Sequence, residues 1–330
     1  DFEPLALERA RRFAESAGVT GIDFRKANVL SLPFPEAAFD IVLDYGCLHH
    51  QKKSDWRRYR SNLLRVLAPR GFYILSVFSP DFPLFRGSRR PWHITQGSYR
   101  RFFTRRDLFG LFGRDFEVLE MIEEDGGRHG FWHVLFRRRD RIPGRDFYAA
   151  HPGLVARRLL GKILVRRIGR RTLAGRIVEA EAYSSDDPAS HAYCGRTERN
   201  RALFGEVGRA YIYMAHGRYA CLNVTARKGR PAGGVLIRAL EPLEGVDLMR
   251  TFRKTGSVRA LARGPGNLTG ALRIGLGLYG TDLTRKGPLY IADGGAGKFP
   301  VARTPRIGVT AGRDRLWRFT IADSPFVSRG

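Results

Sequence analysis

The hydrophobic positions change period repeatedly along the chain. Leu5, Ala6, Arg9, Ala10 and Phe13 fall at helical spacing and predict an amphipathic helix over residues 5–17. Asp40-Ile41-Val42-Leu43-Asp44 reads as a short buried strand, and Trp56 to Leu67 as a helix stopped by Pro69 and Gly71. Phe72 to Val77 and Phe131 to Phe136 follow as strands. Strands alternating with helices predict an α/β fold with a parallel, doubly wound (Rossmann-like) sheet in this half.

A different pattern starts in the second half. In Arg176-Ile177-Val178-Glu179-Ala180-Glu181-Ala182-Tyr183, successive side chains point to opposite faces of a strand. Glu179, Glu181 and Tyr183 therefore share one face, while Val178, Ala180 and Ala182 share the other. Two carboxylates and a phenol on one short face border a polar pocket or a solvated edge, since a buried carboxylate is costly unless it is paired or functional. The pattern does not separate Glu179 from Glu181. Between Arg209 and Val224 a hairpin is expected. Tyr211 and Tyr213 share a face of one arm, Tyr219, Cys221 and Asn223 a face of the other, and Ala215-His216-Gly217 forms the turn.

Composition adds two constraints. The 330 residues suit about two domains, and a net charge of +26 favours a polyanionic partner, nucleic acid above all. Residues 1–143 hold 25 basic against 18 acidic side chains, and residues 144–330 hold 33 against 14, so a nucleic-acid surface is expected in the second half. Arg137 to Arg145 is basic and interrupted by Pro143 and Gly144. It divides the chain into a domain at 1–140, a linker at 141–145 and a domain at 146–330. Cys47, Cys194 and Cys221 are too few and too scattered for a disulfide framework. His191 and Cys194 lack a partner pair at zinc spacing, so no metal is expected. No apolar run is long enough to span a bilayer, and a cytoplasmic, nucleoid-associated monomer without a membrane partner is expected.

Asp1-Phe2-Glu3-Pro4, Ala27 to Phe34, and Phe39 through His50 resemble, in turn, the end of the second strand, the adenine-side loop and the fourth strand of class I S-adenosylmethionine-dependent methyltransferases. The resemblance implies that Asp1 contacts the ribose and that Asn28 lies near the adenine, where the family usually has Asp. The family's first strand and Gly-rich loop, which let backbone approach the cofactor, would precede residue 1. The expectation is a truncated domain that neither binds S-adenosylmethionine nor methylates.

From Asp146 onward a series of motifs occurs in order: Ile177 to Tyr183, Arg199-Asn200-Arg201, Tyr211-Ile212-Tyr213, Cys221 to Val224, Leu236 to Pro242, Gly264 to Leu268 and Ser324 to Ser328. Together they resemble the alkyladenine (3-methyladenine) DNA glycosylase family. The resemblance implies a compact mixed α/β domain around a curved antiparallel sheet, with a hairpin that enters DNA. It implies a monofunctional enzyme that flips a damaged purine out of the duplex and hydrolyses its N-glycosyl bond without a cofactor. 3-Methyladenine, 7-methylguanine and hypoxanthine are the expected substrates. By the same resemblance Glu181 activates water, with Arg238 and the Ile307 carbonyl positioning it. Tyr183, His191, Tyr213 and Asn223 form the base pocket, and His216 fills the gap in the stack, a place usually held by Tyr. Arg196, Arg199, Arg201, Arg218, Arg227 and Lys228 are expected on the DNA backbone. The rival readings are a methyltransferase–glycosylase fusion with both activities and a lesion-binding module without catalysis.

Overall fold

A computed structural model describes residues 4–95, 97–124, 130–295 and 299–328; Asp1 lies outside the described residues. Contacts divide the chain into two units, Asp1–Asp140 and Arg141–Gly330.

The first unit contains α1 (Pro4–Ser16), β1 (Phe39–Tyr45), α2 (Trp56–Val66), β2 (Leu67–Phe78), the short strands β3 (Trp92–Thr95) and β4 (Ser98–Arg101), α3 (Arg105–Phe112), β5 (Phe116–Glu123) and β6 (Phe131–Arg138). Its main sheet has the order β1-β2-β6-β5. β1 and β2 are parallel, whereas β6 is antiparallel to both β2 and β5, so antiparallel strands complete the Rossmann-like arrangement. Tyr73, Leu75 and Val77 of β2, Val134 and Phe136 of β6, Leu63 of α2 and Phe112 of α3 close the core.

Two expectations for this half need correction. The strand expected to be buried is, among the described residues, an edge strand paired only with β2, and Ile41, Leu43 and Tyr45 are 58%, 64% and 74% exposed. The stripe on α1 is likewise outward, with Phe13 75% exposed. Periodicity shows which residues share a face, but not whether another element covers it. Gly71 marks a real constraint, because a Cβ there would lie 2.8 Å from the Asp40 carbonyl oxygen across the β1–β2 pairing.

The second unit begins with α4 (Pro152–Leu159) and the meander β7 (Ile163–Ile168), β8 (Arg171–Ser184), α5 (Arg201–Phe204), β9 (Ala210–Ala215), β10 (Tyr219–Thr225) and β11 (Gly233–Glu244). Three short helices follow, α6 (Val246–Arg253), α7 (Val258–Leu261) and α8 (Pro265–Ala271), then β12 (Leu289–Ala292), β13 (Val301–Thr304) and β14 (Arg318–Ile321). The sheet is antiparallel throughout, in the order β12-β7-β8-β11-β10-β9, with β14 joining β8 and β13. The alternation read along β8 holds. Ala180 and Ala182 enter the main core with Val155 and Leu159 of α4, while Glu179 and Glu181 face the other way and are fully buried.

The stretch read as a linker packs onto this second unit. The Asp293 amide donates to the Arg141 carbonyl at 2.6 Å, Ile142 packs on the Ile163–Tyr290 cluster, and Arg145 pairs with Asp282 at 2.9 Å. Local composition at residues 141–145 resembles a linker, but distant partners hold the chain down.

Candidate active site

Strand β8 lies between β11 and β14 in the region of its two glutamates. Glu179 is opposite Ala239 on one side and Thr320 on the other, and Glu181 is opposite Leu236 and Arg318. Between Ile237 and Ala239 the register of β11 slips, leaving Arg238 without a cross-strand partner. Such a bulge re-aims a side chain, and here it brings the guanidinium to both carboxylates. Arg238 Nε donates to Glu179 Oε1 at 3.1 Å and Nη1 to Glu181 Oε2 at 3.2 Å. Burial acts against the Arg238 charge, but Glu181 and Glu179 raise its pKa overall.

The remaining partners distinguish the two glutamates. Glu179 Oε1 also accepts from Arg318 Nε at 2.7 Å and Ser328 Oγ at 2.8 Å, and Oε2 accepts the Ser328 amide at 2.7 Å. Three of its four donors converge on Oε1 and one reaches Oε2. Glu179 thereby ties the Ser324–Ser328 segment to the sheet. Glu181 has three donors: the Tyr183 hydroxyl at 2.9 Å, Arg238, and the Ile307 amide at 2.8 Å on Oε1. One acceptor position on Oε1 has no partner among the described residues. Ile307 thus touches Glu181 through its N–H, whereas the resemblance pointed to its carbonyl.

A cavity of about 340 Å³ opens in front of this group. Tyr183, Arg238 and Ile307 line it, and Glu181 sits directly behind these three donors without lining it itself. His191, Tyr213, Asn223 and His216 also line it, so each residue expected in the pocket or at its mouth is brought to one place. The hairpin pairing explains part of this. Cys221 is opposite Tyr213 and Asn223 opposite Tyr211, so alternate residues of β9 and β10 face the cavity together. Tyr211, Tyr219 and Cys221 also line it. They carried no assigned role in the sequence reading, although their alternation with Tyr213 and Asn223 was the available signal.

The aromatic wall is held by specific contacts. His191 Nδ1 lies 2.8 Å from the Tyr211 hydroxyl, and its ring meets Tyr213 edge-on at 4.4 Å. Partial burial, then the Arg199 charge, lower the His191 pKa, favouring neutral imidazole. The loop carrying His191 is fastened by Asn200, whose side-chain amide donates to the His191 carbonyl at 2.7 Å and the Gly195 carbonyl at 2.9 Å. On Tyr183, the Arg306 guanidinium lies 4.7 Å from the ring centroid, held by the fully buried Asp187 and the Ala182 carbonyl. Burial, then the Glu181 charge, raise the Tyr183 phenol well above its ordinary value and keep it a donor. Burial pushes Tyr211 up to about 12 and also raises Tyr213 and the Cys221 thiol.

At the mouth, His216 and Gly217 have φ of 50° and 66°, and the Arg218 amide donates to the Ala215 carbonyl at 3.0 Å. Positive φ at both central residues belongs to a type I′ hairpin, which matches the strand twist and tolerates a non-glycine residue at some cost. The tip exposes His216 and Arg218. Behind it, Tyr219 packs so closely on α8 that a Cβ at Gly266 would lie 2.6 Å from its ring, and Thr269 Oγ1 donates to the Ala220 carbonyl at 2.7 Å. These contacts fix the hairpin to the body of the unit.

The six basic residues expected on DNA divide into two groups. Arg199 lies over Tyr213 at 5.6 Å, Arg201 pairs with Glu198 at 2.9 Å and Arg227 donates to the Gly205 carbonyl at 3.0 Å. Arg196, Arg218 and Lys228 are exposed, with no side-chain hydrogen bond or ion pair among the described residues. No cluster of three metal-ligating side chains occurs among the described residues.

Comparison with known proteins follows the same division of the chain. Residues 146–325 match the family of methylpurine-DNA glycosylases, and residues 1–71 match a methyltransferase domain. A relative from Mesorhizobium japonicum is 45% identical over 197 residues, covering 59% of this chain and 95% of the relative. One from Koribacter versatilis is 47% identical over 189 residues, covering 56% and 91%. Both are provisionally named 3-methyladenine DNA glycosylase. A solved S-adenosylmethionine-dependent methyltransferase from Methanosarcina mazei is 19% identical, with a TM-score of 0.36, over 42% of this chain and 79% of its own.

Proposed function

This chain belongs to the methylpurine-DNA glycosylase family and is a DNA-repair glycosylase, and on that premise we propose that it hydrolyses the N-glycosyl bond of alkylated purines and hypoxanthine flipped from duplex DNA. The observation that carries the choice of base is the contrast between the glutamates. Glu179 takes four donors, two of them from Ser328, and ties down the chain's last segment, whereas Glu181 takes three, with a single one on Oε1, and all three come from residues that line the cavity.

In this reading a water donates to Glu181 Oε1 and its oxygen attacks the sugar C1′. The C1′–N bond breaks with its electron pair leaving on the purine, and the proton of the water passes to Glu181. Arg238, the Ile307 amide and the Tyr183 hydroxyl hold the carboxylate in one orientation. Well-oriented reactants gain roughly 7–11 kcal/mol over free collision. Tyr183 and Tyr213 supply faces for the flipped base, His191 an edge, and Asn223 a polar contact. His216 at the hairpin tip fills the vacated position in the minor groove, and Arg196, Arg218 and Lys228 meet phosphates. An alkylated purine leaves as a neutral base, while hypoxanthine requires protonation first and gives a bell-shaped pH profile.

No step uses S-adenosylmethionine. Asn28 folds its side-chain oxygen back onto the Leu30 amide at 2.9 Å.

The test is single-turnover base release from duplexes carrying one alkylated adenine or one hypoxanthine. Glu181→Gln abolishes release while duplex binding persists, and His216→Ala weakens both binding and release. Equal release by Glu181→Gln and the parent would refute the assigned base. Tight binding with no release by either protein would favour a lesion-binding module. Unchanged binding and release by His216→Ala at every pH would refute the wedge.

A further inference from the structure

Between Asp81 and Asp107 the chain carries seven arginines and no carboxylate. This stretch forms the two-stranded ribbon β3–β4 of the first unit, a region with no part in the glycosylase reading. The ribbon is anchored on one face. His93 Nε2 is 3.2 Å from Ser88 Oγ, and Ser98 Oγ is 3.3 Å from His50 Nδ1. The pairing Ile94↔Tyr99 and Trp92↔Arg101 puts Trp92, Ile94 and Tyr99 together on the opposite face. That face is open at Trp92, 39% exposed, and at Ile94, 65% exposed, while Arg101 beside them is buried over Trp56. Trp92 stacks on Tyr99, with centroids 6.1 Å apart and planes 23° from parallel. Immediately before it, Arg89 and Arg90 are exposed and make no side-chain hydrogen bond or ion pair among the described residues.

We propose that this ribbon is a second DNA-binding surface, which takes a single strand with its bases on Trp92 and its phosphates on Arg89 and Arg90. The arginines call for a polyanion. Guanidinium forks match phosphate oxygens, and neither Arg89 nor Arg90 pairs with a carboxylate among the described residues. The aromatic ring selects the form of that polyanion. A duplex hides its base faces in the stack, whereas unpaired bases lay theirs on exposed rings with little regard to sequence. Ile94 extends the apolar surface beside the ring that such a base would cover. The ribbon is also preorganised, because its paired strands and anchored rear face hold Trp92 in place before DNA arrives. The proposal does not depend on the identity of the base removed by the second unit.

The test uses the full chain and a labelled oligothymidylate, which contains no purine to excise, titrated at several salt concentrations. Trp92→Ala weakens binding by about fivefold or more, and Trp92→Phe, which keeps an aromatic face, restores it to within about twofold. The double variant Arg89→Ala/Arg90→Ala lowers the slope of log affinity against log salt by about 1.4, at roughly 0.7 per phosphate on a single strand. Single-turnover release from a lesion duplex at saturating protein stays unchanged in all three, and their far-ultraviolet circular dichroism and melting profiles match the parent, which shows that both units remain folded. Oligothymidylate affinity that is indifferent to these changes would overturn the proposal. So would a loss seen only on duplex DNA, or a Trp92→Phe variant no better than Trp92→Ala.

Discussion

Glu179→Gln separates the two buried carboxylates most sharply. The parent group around them is balanced, with Glu179 and Glu181 facing Arg238 and Arg318. The amide is almost isosteric but carries no charge, and its NH2 end now faces donors. Of the four donors on Glu179, its single carbonyl oxygen can satisfy about two, and one buried guanidinium charge is left uncompensated. Removing one member of a buried ion pair costs about 3–5 kcal/mol. For a unit of this size that corresponds to a fall of roughly 6–20 °C in Tm, at about 2–4 °C per kcal/mol.

Glu181→Gln should cost less, about 1–3 kcal/mol. Arg238 keeps Glu179 at 3.1 Å, and the Tyr183 hydroxyl can rotate toward the amide oxygen. Calorimetry on the two variants, paired with single-turnover release well below both transitions, gives the comparison. The expected result is a large Tm loss with release within about threefold of the parent for Glu179→Gln, and a smaller Tm loss with abolished release for Glu181→Gln. A Glu179→Gln variant that melts like the parent would refute the structural role assigned to its four donors. One that folds normally but releases nothing, beside an active Glu181→Gln, would exchange the two roles.

Tyr183→Phe removes the hydroxyl donor from Glu181 at 2.9 Å but keeps the ring that Arg306 backs at 4.7 Å. Release should fall about tenfold, since one such bond is worth about 1–1.5 kcal/mol, with DNA affinity unchanged; a loss of affinity without a loss of rate would contradict the assignment. For His191 the lowered pKa fixes the sign of a pH effect. The folded protein holds this proton less tightly than the unfolded chain, whose ordinary value is 6.5. Its stabilising contribution is complete above that value and is lost as pH falls through the lower folded pKa, damped by solvent around an exposed ring. Tm of the parent should therefore drop more steeply below pH 6.5 than that of His191→Asn, and identical slopes would argue against it.

Local patterning was enough to read the division into an α/β half and a mixed half and the shared face of Glu179, Glu181 and Tyr183. It also showed the hairpin that brings Tyr213 and Asn223 to one side. These follow from local geometry, because the two-residue period of a strand and the left-handed backbone of a tight turn are written in neighbouring residues. The family motifs singled out Glu181, but strand geometry alone did not. What distinguishes it comes from far along the chain: Ser328 and Arg318 on Glu179, Ile307 on Glu181, and a bulge in β11 that turns Arg238 toward both. The same limit explains the outward faces of α1 and β1 and the packed residues 141–145. Periodicity assigns a side chain to a face. Which distant donors, charges or apolar groups meet that face is settled by folding, because burial and hydrogen bonding at this site depend on contacts between residues more than a hundred positions apart.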